Sequence, residues 1–313
     1  MKKYIYIINI LFFLLFTLIP IKRTFADDKQ LNLQFEKAYN IQQHYQLNGK
    51  GISIAILDTG VDLNNKELNI KNGITFTQET KDYQDLNGHG TYVAGIVGSK
   101  NTGIAPKADI YAVKVLDRNQ KGNYDDIVKG IQWCIDNNID IILMSLGGSK
   151  YSKLLDNSIQ KASKYGITIV SAVGNDGISN KDTVTYPAKL SGVIGVGAIN
   201  QKEKRWFKSS RGKGIDIMVP GENISSTGLN NKIITQSGTS ASAAYVAGFI
   251  ALMKQHKNMT NLEIENALKE TATSIGNEYE YGAGIINEEK SLSYKENKSF
   301  FNKLLDSLTS FFS

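Results

Sequence analysis

Residues 52–60 read Ile-Ser-Ile-Ala-Ile-Leu-Asp-Thr-Gly, a nearly continuous apolar run that stops at an aspartate. Four later segments have the same apolar character. Such runs are typical of strands in a parallel sheet that is covered on both faces, because neither face of the strand meets water. The predicted strands span residues 52–57, 110–116, 139–145, 167–172 and 193–199.

Helical periodicity fills the intervals between these runs. In 124–137 and in 152–165, apolar residues recur at the spacing of an amphipathic helix. Thr260 and Glu263 form the capping-box pattern of a further helix start. Alternating strands and helices predict an α/β fold with a mostly parallel central sheet and helices on both faces, built as one large domain. The expected buried positions are Ile127, Val128, Ile131, Cys134 and Ile135 in the first helix and Leu154, Leu155, Ile159 and Ala162 in the second.

The basic excess of the chain is concentrated at its beginning. The chain has 313 residues, with 36 Lys and Arg against 30 Asp and Glu, a net charge of +6. Residues 1–26 combine four basic side chains and no acidic one with an apolar run over 4–21, which predicts a secretory signal peptide. An uncleaved membrane anchor is the alternative. Without this segment the chain is close to neutral, so no nucleic-acid partner is expected.

Polar residues follow the predicted strands, at the edge where ligands bind in open α/β sheets. Asp58 follows the first run and Asn175 comes soon after the fourth, while His89 and Ser240 lie among glycine and other small residues. Acyl transfer needs a hydroxyl nucleophile, an imidazole base, a carboxylate that orients the imidazole, and donors for the oxyanion. Each residue alone has a plain explanation as a cap or turn residue. Together they match all four roles.

The chain resembles the subtilisin-like serine proteases, or subtilases, over nearly all of residues 30–290. The resemblance rests on Asp58-Thr59-Gly60, His89-Gly90-Thr91 and Gly238-Thr239-Ser240, in the family's chain order of Asp, His and Ser. It implies a three-layer subtilisin-like fold and a serine endopeptidase activity. It also implies that Ser240 is the nucleophile, His89 the general base, Asp58 its orienting carboxylate and Asn175 a donor in the oxyanion hole.

The resemblance implies a polypeptide substrate and places it. The segments Lys121-Gly122-Asn123 and Ser145-Leu146-Gly147 are expected to hold an extended peptide between them by strand pairing. Tyr124 is expected to wall a pocket for a residue upstream of the cut. Asp176 and Thr185 are expected at the pocket for the residue just before the scissile bond, where Asp176 would favour Arg or Lys. A solvated loop carboxylate is the alternative for Asp176.

The resemblance also predicts the domain organisation. A peptidase domain without a pro-domain spans 27–290, because only a short segment separates the predicted signal peptide from Asp58. The chain is short at 99–105, where many secreted relatives have a calcium-binding loop, so no cofactor is expected, although a calcium site elsewhere stays open. Residues 291–313 form an amphipathic tail. Its part 297–313 is expected to contact a membrane surface, the protein's own surface or a partner.

We therefore expect an exported serine endopeptidase, a monomer that is secreted or associated with the cell surface. Processing of a secreted peptide precursor, such as leader removal of the lanthipeptide type, and general extracellular degradation are both open, and the compact domain favours the first. An inactive subtilase-fold binding protein is the alternative from another class. The single cysteine excludes an internal disulfide, and no His, Cys and carboxylate cluster has the spacing of metal ligands.

Overall fold

Parallel strands form the central sheet of the protein in the computed structural model, which describes residues 35–295. The strands of this sheet lie in the order β2-β3-β1-β4-β5-β6-β7, and every neighbouring pair is parallel. Their bounds are β1 Ser53–Asp58, β2 Ile70–Thr75, β3 Asp109–Lys114, β4 Ile141–Met144, β5 Thr168–Ala172, β6 Val193–Ile199 and β7 Ile217–Pro220. The predicted α/β class is confirmed.

Helices cover both faces of this sheet. The helices are α1 Glu36–His44, α2 His89–Gly98, α3 Tyr124–Asp136, α4 Lys153–Lys164, α5 Thr239–His256, α6 Asn261–Glu270, α7 Glu278–Tyr281 and α8 Glu288–Leu292. On one face α3 and α4 bury their apolar sides against residues such as Leu57 and Ile142, while α2 and α5 pack on the other face with Ile54 and Ile56. The alternation along β1 explains the three layers, because successive side chains point to opposite faces.

The helix boundaries follow the local signals of the sequence. Thr260 accepts from the Glu263 amide and the Glu263 side chain accepts from the Thr260 amide, so the predicted capping box is present. In α4 the expected residues Leu155, Ile159 and Ala162 are buried. The expectation for Leu154 is wrong, since its side chain is 50% exposed. It lies next to Leu155, about 100° around the helix, and therefore on the solvent side.

Four strands of the described chain escaped prediction. β2 is an edge strand whose residues are all exposed or half-buried, so it has no continuous apolar run. The short strand β7 closes the other edge. A separate antiparallel hairpin, β8 (Ile224–Thr227) and β9 (Ile233–Gln236), leads directly into α5. Its inner strand β8 packs against α2.

Two predicted segments fall outside the part of the chain that the structure describes. These are the signal peptide at 1–26 and the tail at 297–313. Within residues 35–295, no helix combines the length and the apolar character needed to span a bilayer.

The contact between α2 and β8 is unusually close because Gly95 has no side chain. A Cβ atom at Gly95 would lie 2.2 Å from Ser226 Oγ and 2.7 Å from Thr227 Cγ2. The same contact is tied by hydrogen bonds from Tyr92 Oη to Ile224 O, at 2.9 Å, and from Ser226 Oγ to Tyr92 O, at 2.8 Å. The hairpin and α2 therefore form one packed unit.

We expect Gly95→Ala to lower the free energy of unfolding by about 1–3 kcal/mol, because the added methyl group pushes α2 away from β8. Urea unfolding followed by circular dichroism measures the change. Asn157→Ala, on the exposed side of α4, is the control and should change the free energy by less than about 0.5 kcal/mol. Equal stability of Gly95→Ala and the parent protein would contradict the close approach.

Candidate active site

Asp58 and His89 are joined across two elements of the fold. Asp58 ends β1 and is fully buried, and His89 is the first residue of α2. His89 Nδ1 lies 2.8 Å from Asp58 Oδ1 and 2.9 Å from Oδ2. An ionised carboxylate can only accept hydrogen bonds, so Nδ1 carries a proton and donates the hydrogen bond to Asp58. Nε2 is thereby left as the basic nitrogen of His89.

The surroundings of His89 change its proton affinity. Burial disfavours the charged imidazolium, but the charge of Asp58, the hydrogen bond to it and the charge of Asp85 together outweigh burial. The pKa of His89 is therefore raised above its ordinary value of 6.5. A base with a raised pKa binds a proton more tightly and loses it again only at higher pH.

Ser240 lies at the start of α5, a helix of 18 residues. Its amide is one of the first helical N–H groups, which have no acceptor within the helix. Its hydroxyl donates to Ser145 O at 3.4 Å, and no hydrogen bond to His89 forms within the described chain. Contacts between a nucleophile and its base are often long in the absence of substrate. Ser240 and His89 nevertheless line the same groove.

Asn175 is held in one orientation by Thr239. Both the amide and the hydroxyl of Thr239 donate to Asn175 Oδ1, each at 3.0 Å. Because the carbonyl oxygen of the side chain is occupied, the Nδ2 amino group of Asn175 is the end that remains to donate. Asn175 lines the groove beside Ser240. The side-chain N–H of Asn175 and the amide of Ser240 thus form a pair of donors next to the Ser240 hydroxyl.

The groove has a volume of about 830 Å³ and is bounded by the chain that follows β3 and β4. Parallel strands end at one edge of a sheet, which brings these two segments to the same edge, where they line the groove together with Ser240. The groove is lined by most of the residues predicted to bind substrate, namely Lys121, Gly122, Asn123, Tyr124, Ser145, Leu146 and Gly147.

Two of the predicted substrate-binding residues do not line the groove. Thr185 lies behind Gly147, where a Cβ atom on the glycine would be 2.2 Å from Thr185 Oγ1. Asp176 is exposed, and its amide donates to Ser210 Oγ at 3.2 Å. Neither side chain is among those that the groove presents to a ligand.

Other groove residues were missed by the sequence analysis. Lys150 lines the groove and its carbonyl accepts from Tyr124 Oη at 2.5 Å, so the wall continues beyond Gly148. Gln236 and Ser237 also line the groove. Gln236 is the last residue of the β8–β9 hairpin, and Ser237 comes next in the chain. Because the hairpin has no strong sequence pattern, only the motif Gly238-Thr239-Ser240 indicated this part of the site.

The short turn at 99–103 is tied to Glu67 by hydrogen bonds. The Glu67 carboxylate accepts from Ser99 Oγ at 3.1 Å and from Asn101 Nδ2 at 3.0 Å and 3.1 Å. Both oxygens of the Glu67 carboxylate therefore accept from neutral donors of this turn. Within residues 35–295, no group of three or more His, Cys, Asp or Glu side chains is arranged to hold a metal ion.

The fold and this site define a class of proteins, and comparison with known proteins agrees. The model of the subtilase family, peptidase S8, matches residues 49–284. The match includes Asp58, His89, Asn175 and Ser240. The chain belongs to the subtilase family, as the sequence motifs predicted.

Several curated proteins are similar to the chain. It is 42% identical over 247 residues to subtilisin E of Bacillus subtilis (strain 168), covering 76% of this chain and 65% of that protein. It is 41% identical to subtilisin of Bacillus pumilus, covering 76% of this chain and 90% of that protein. It is 40% identical to the minor extracellular protease Epr of Bacillus subtilis (strain 168), covering 77% of this chain and 38% of that protein. The matched region thus spans about two thirds of the length of subtilisin E.

We expect the imidazole of His89 to titrate in NMR with a midpoint above 6.5, because Asp58 and Asp85 stabilise its charged form. Asp58→Asn should move the midpoint to lower pH, since it removes the closer negative charge. His44→Gln and His256→Gln assign the signals, because the chain has three histidines. A midpoint below 6.5 in the parent protein would contradict the raised pKa.

Proposed function

We propose that the protein is a serine endopeptidase that cuts polypeptides through an acyl-enzyme intermediate. The observation that carries the proposal is the pairing of His89 Nδ1 with Asp58, at 2.8 Å and 2.9 Å, at the edge of a groove that Ser240 and Asn175 also line. This arrangement combines a base of fixed tautomer, a hydroxyl nucleophile and two oxyanion donors. Membership of the subtilase family supports the same activity.

In the first half of the reaction, Ser240 Oγ attacks the carbonyl carbon of the scissile peptide bond. His89 Nε2 takes the hydroxyl proton, and Asp58 stabilises the imidazolium that results. The Asn175 side chain and the Ser240 amide donate to the developing oxyanion. When the C–N bond breaks, His89 delivers the proton to the leaving amine, and the acyl group remains on Ser240.

In the second half, water attacks the ester carbon of the acyl-enzyme. His89 Nε2 takes a proton from the water and returns it to Ser240 Oγ as the C–O bond of the ester breaks. The carboxylic acid product leaves and the free site is restored. His89 carries the proton in each of these steps, and the proposal assigns no step to a metal or cofactor.

The groove supports an extended peptide as the substrate. Lys121-Gly122-Asn123 and Ser145-Leu146-Gly147 line it on either side, and their backbones can add a peptide strand between them. Tyr124 walls the groove next to Gly148, where a Cβ atom would be 2.7 Å from Tyr124 Oη. The absence of a side chain there leaves room for the main chain of the substrate.

We further propose that the protein acts outside the cytoplasm, as a secreted or surface-associated monomer. The basic and apolar pattern of residues 1–26 supports export, and one relative is named an extracellular protease. The short turn at 99–103 and the compact domain favour the processing of a secreted peptide precursor over general degradation. An inactive binding protein is disfavoured because no residue of the Asp58, His89 and Ser240 set is replaced.

We expect a fluorophosphonate probe to label the protein on Ser240, because His89 activates the hydroxyl and the two oxyanion donors stabilise the adduct. Labelling is measured by in-gel fluorescence and by mass spectrometry of the labelled peptide. Ser240→Ala should abolish it, whereas Ser149→Ala, another groove serine, should leave it intact. A folded parent protein that is neither labelled nor able to cut a denatured polypeptide would sink the proposed activity.

We expect a calcium chelator to leave the melting temperature unchanged within about 1 °C, because the Glu67 carboxylate accepts hydrogen bonds from Ser99 Oγ and Asn101 Nδ2. Glu67→Ala should lower the free energy of unfolding by about 1–3 kcal/mol through the loss of these charged hydrogen bonds. Differential scanning calorimetry with and without the chelator measures both. A large drop that added calcium reverses would show that the protein depends on the ion.

A further inference from the structure

A second buried carboxylate, Asp85, lies beside the candidate site. It precedes His89 by four residues and its side chain is 1% exposed. No Lys or Arg of the described chain forms an ion pair with it, although removing a charge from water is costly without compensation. Its charge is compensated by hydrogen bonds alone.

Both oxygens of Asp85 are fully used as acceptors. Asp85 Oδ1 accepts from Thr59 Oγ1 at 2.9 Å, from the Asn87 amide at 2.8 Å and from the Gly88 amide at 2.8 Å. Asp85 Oδ2 accepts from the Thr91 amide at 3.0 Å and from Thr91 Oγ1 at 2.6 Å. Only a carboxylate can accept from all of these donors, because an amide side chain would present an NH₂ group to one set of them.

These donors belong to the two elements that carry Asp58 and His89. Thr59 follows Asp58 in the chain, and its amide donates to Asp58 Oδ1 at 2.7 Å. Thr59 Oγ1 also accepts from the Gly90 amide at 2.9 Å. The other donors flank His89, because Asn87 and Gly88 directly precede α2 and Thr91 lies in its first turn. Asp85 thus ties the end of β1 to the start of α2 at the level of the Asp58–His89 hydrogen bond.

The far side of Thr59 is fixed as well. The buried ammonium of Lys114, on β3, donates to Thr59 O at 2.7 Å and pairs with Glu79 at 3.4 Å. Thr59 is therefore fixed at two points: its carbonyl oxygen accepts from Lys114 of β3, and its hydroxyl donates to Asp85. The charged groups around His89 are Asp58 from β1 and Asp85 from the segment before α2, with Lys114 of β3 directed at Thr59.

We propose that Asp85 is a positioning residue of this site, which fixes His89 against Asp58 through Thr59 and the first turn of α2, and whose negative charge favours the imidazolium formed when His89 takes a proton. The proposal rests on the proposed function for its kinetic consequence. A carboxylate that served stability alone would need neither the link to Thr59 nor its place next to His89.

The test compares Asp85→Asn with Asp62→Asn. Asp62 is a matched control because it is also buried, and its side chain accepts from the Asn64 and Asn230 amides and from no donor of α2. Its one link to α2 is the backbone amide, which donates to Thr91 Oγ1 at 2.9 Å and is kept in Asp62→Asn. We expect Asp85→Asn to lower kcat about 10–100-fold with KM changed less than about 3-fold, since the substrate groove is intact and the base is misplaced. Asp62→Asn should keep kcat within about 3-fold of the parent.

The second measurement does not depend on activity. In Asp85→Asn the NMR titration midpoint of His89 should move to lower pH, and the acid limb of kcat/KM should move with it, because one negative charge has been removed. Asp62→Asn should leave both in place. If the parent protein shows no hydrolysis, the proposed function fails, while the titration of His89 still decides the role of Asp85.

Thr59→Val provides a variant that keeps the buried charge. It removes the hydroxyl between Asp85 and the Gly90 amide, and we expect a smaller loss of kcat, about 3–10-fold, with the titration midpoint of His89 close to that of the parent. If Asp85→Asn does not fold, Thr59→Val decides whether the link from Asp85 through Thr59 positions His89. A parent-like kcat in a folded Asp85→Asn, or in Thr59→Val when Asp85→Asn is unfolded, would overturn the proposal. The proposal would also be overturned if the loss of kcat in Asp85→Asn and in Asp62→Asn were fully explained by the drop in melting temperature of each variant.

Discussion

Parallel strands must all end at the same edge of their sheet, and this constraint locates the chemistry of the protein. β1 lies between β3 and β4, so its last residue, Asp58, lies at that edge between the segments that follow β3 and β4. The segments after β3 and β4 become the walls of one groove. The two helices on one face, α2 and α5, then need only begin at this edge to bring His89 and Ser240 to Asp58.

The site combines groups whose roles depend on different physical effects. Asp58 fixes the tautomer of His89 by charge and hydrogen bonding, while Thr239 fixes the orientation of Asn175 without any charge. Asp85 adds a negative charge that is neutralised by no cation within the described chain and is stabilised by amides and hydroxyls. Hydrogen bonds to side chains and to backbone amides therefore hold His89 and Asn175 in place before a substrate arrives.

The sequence was sufficient to predict the strands whose burial produces a continuous apolar run. The apolar runs identified β1 and β3 to β6, and the motifs around Asp58, His89 and Ser240 identified the family. Edge strand β2 was missed because its exposed residues Lys71 and Asn72 interrupt the apolar character. Asp85 was missed because a single carboxylate before a glycine-rich segment has no periodicity, and its meaning lies in donors from Thr59 and Thr91. The groove ends at Lys150 and Gln236 likewise depend on tertiary contacts.

Helix α5 carries Ser240 at its first turn and is buried along most of its length, between the sheet and α2. A surface loop can open locally, but a helix at the centre of the core exchanges its amide protons only when much of the domain unfolds. The nucleophile is therefore part of the most cooperative unit of the fold. A chain whose core has unfolded, which is the form most easily attacked by proteases, therefore no longer holds its own nucleophile in place.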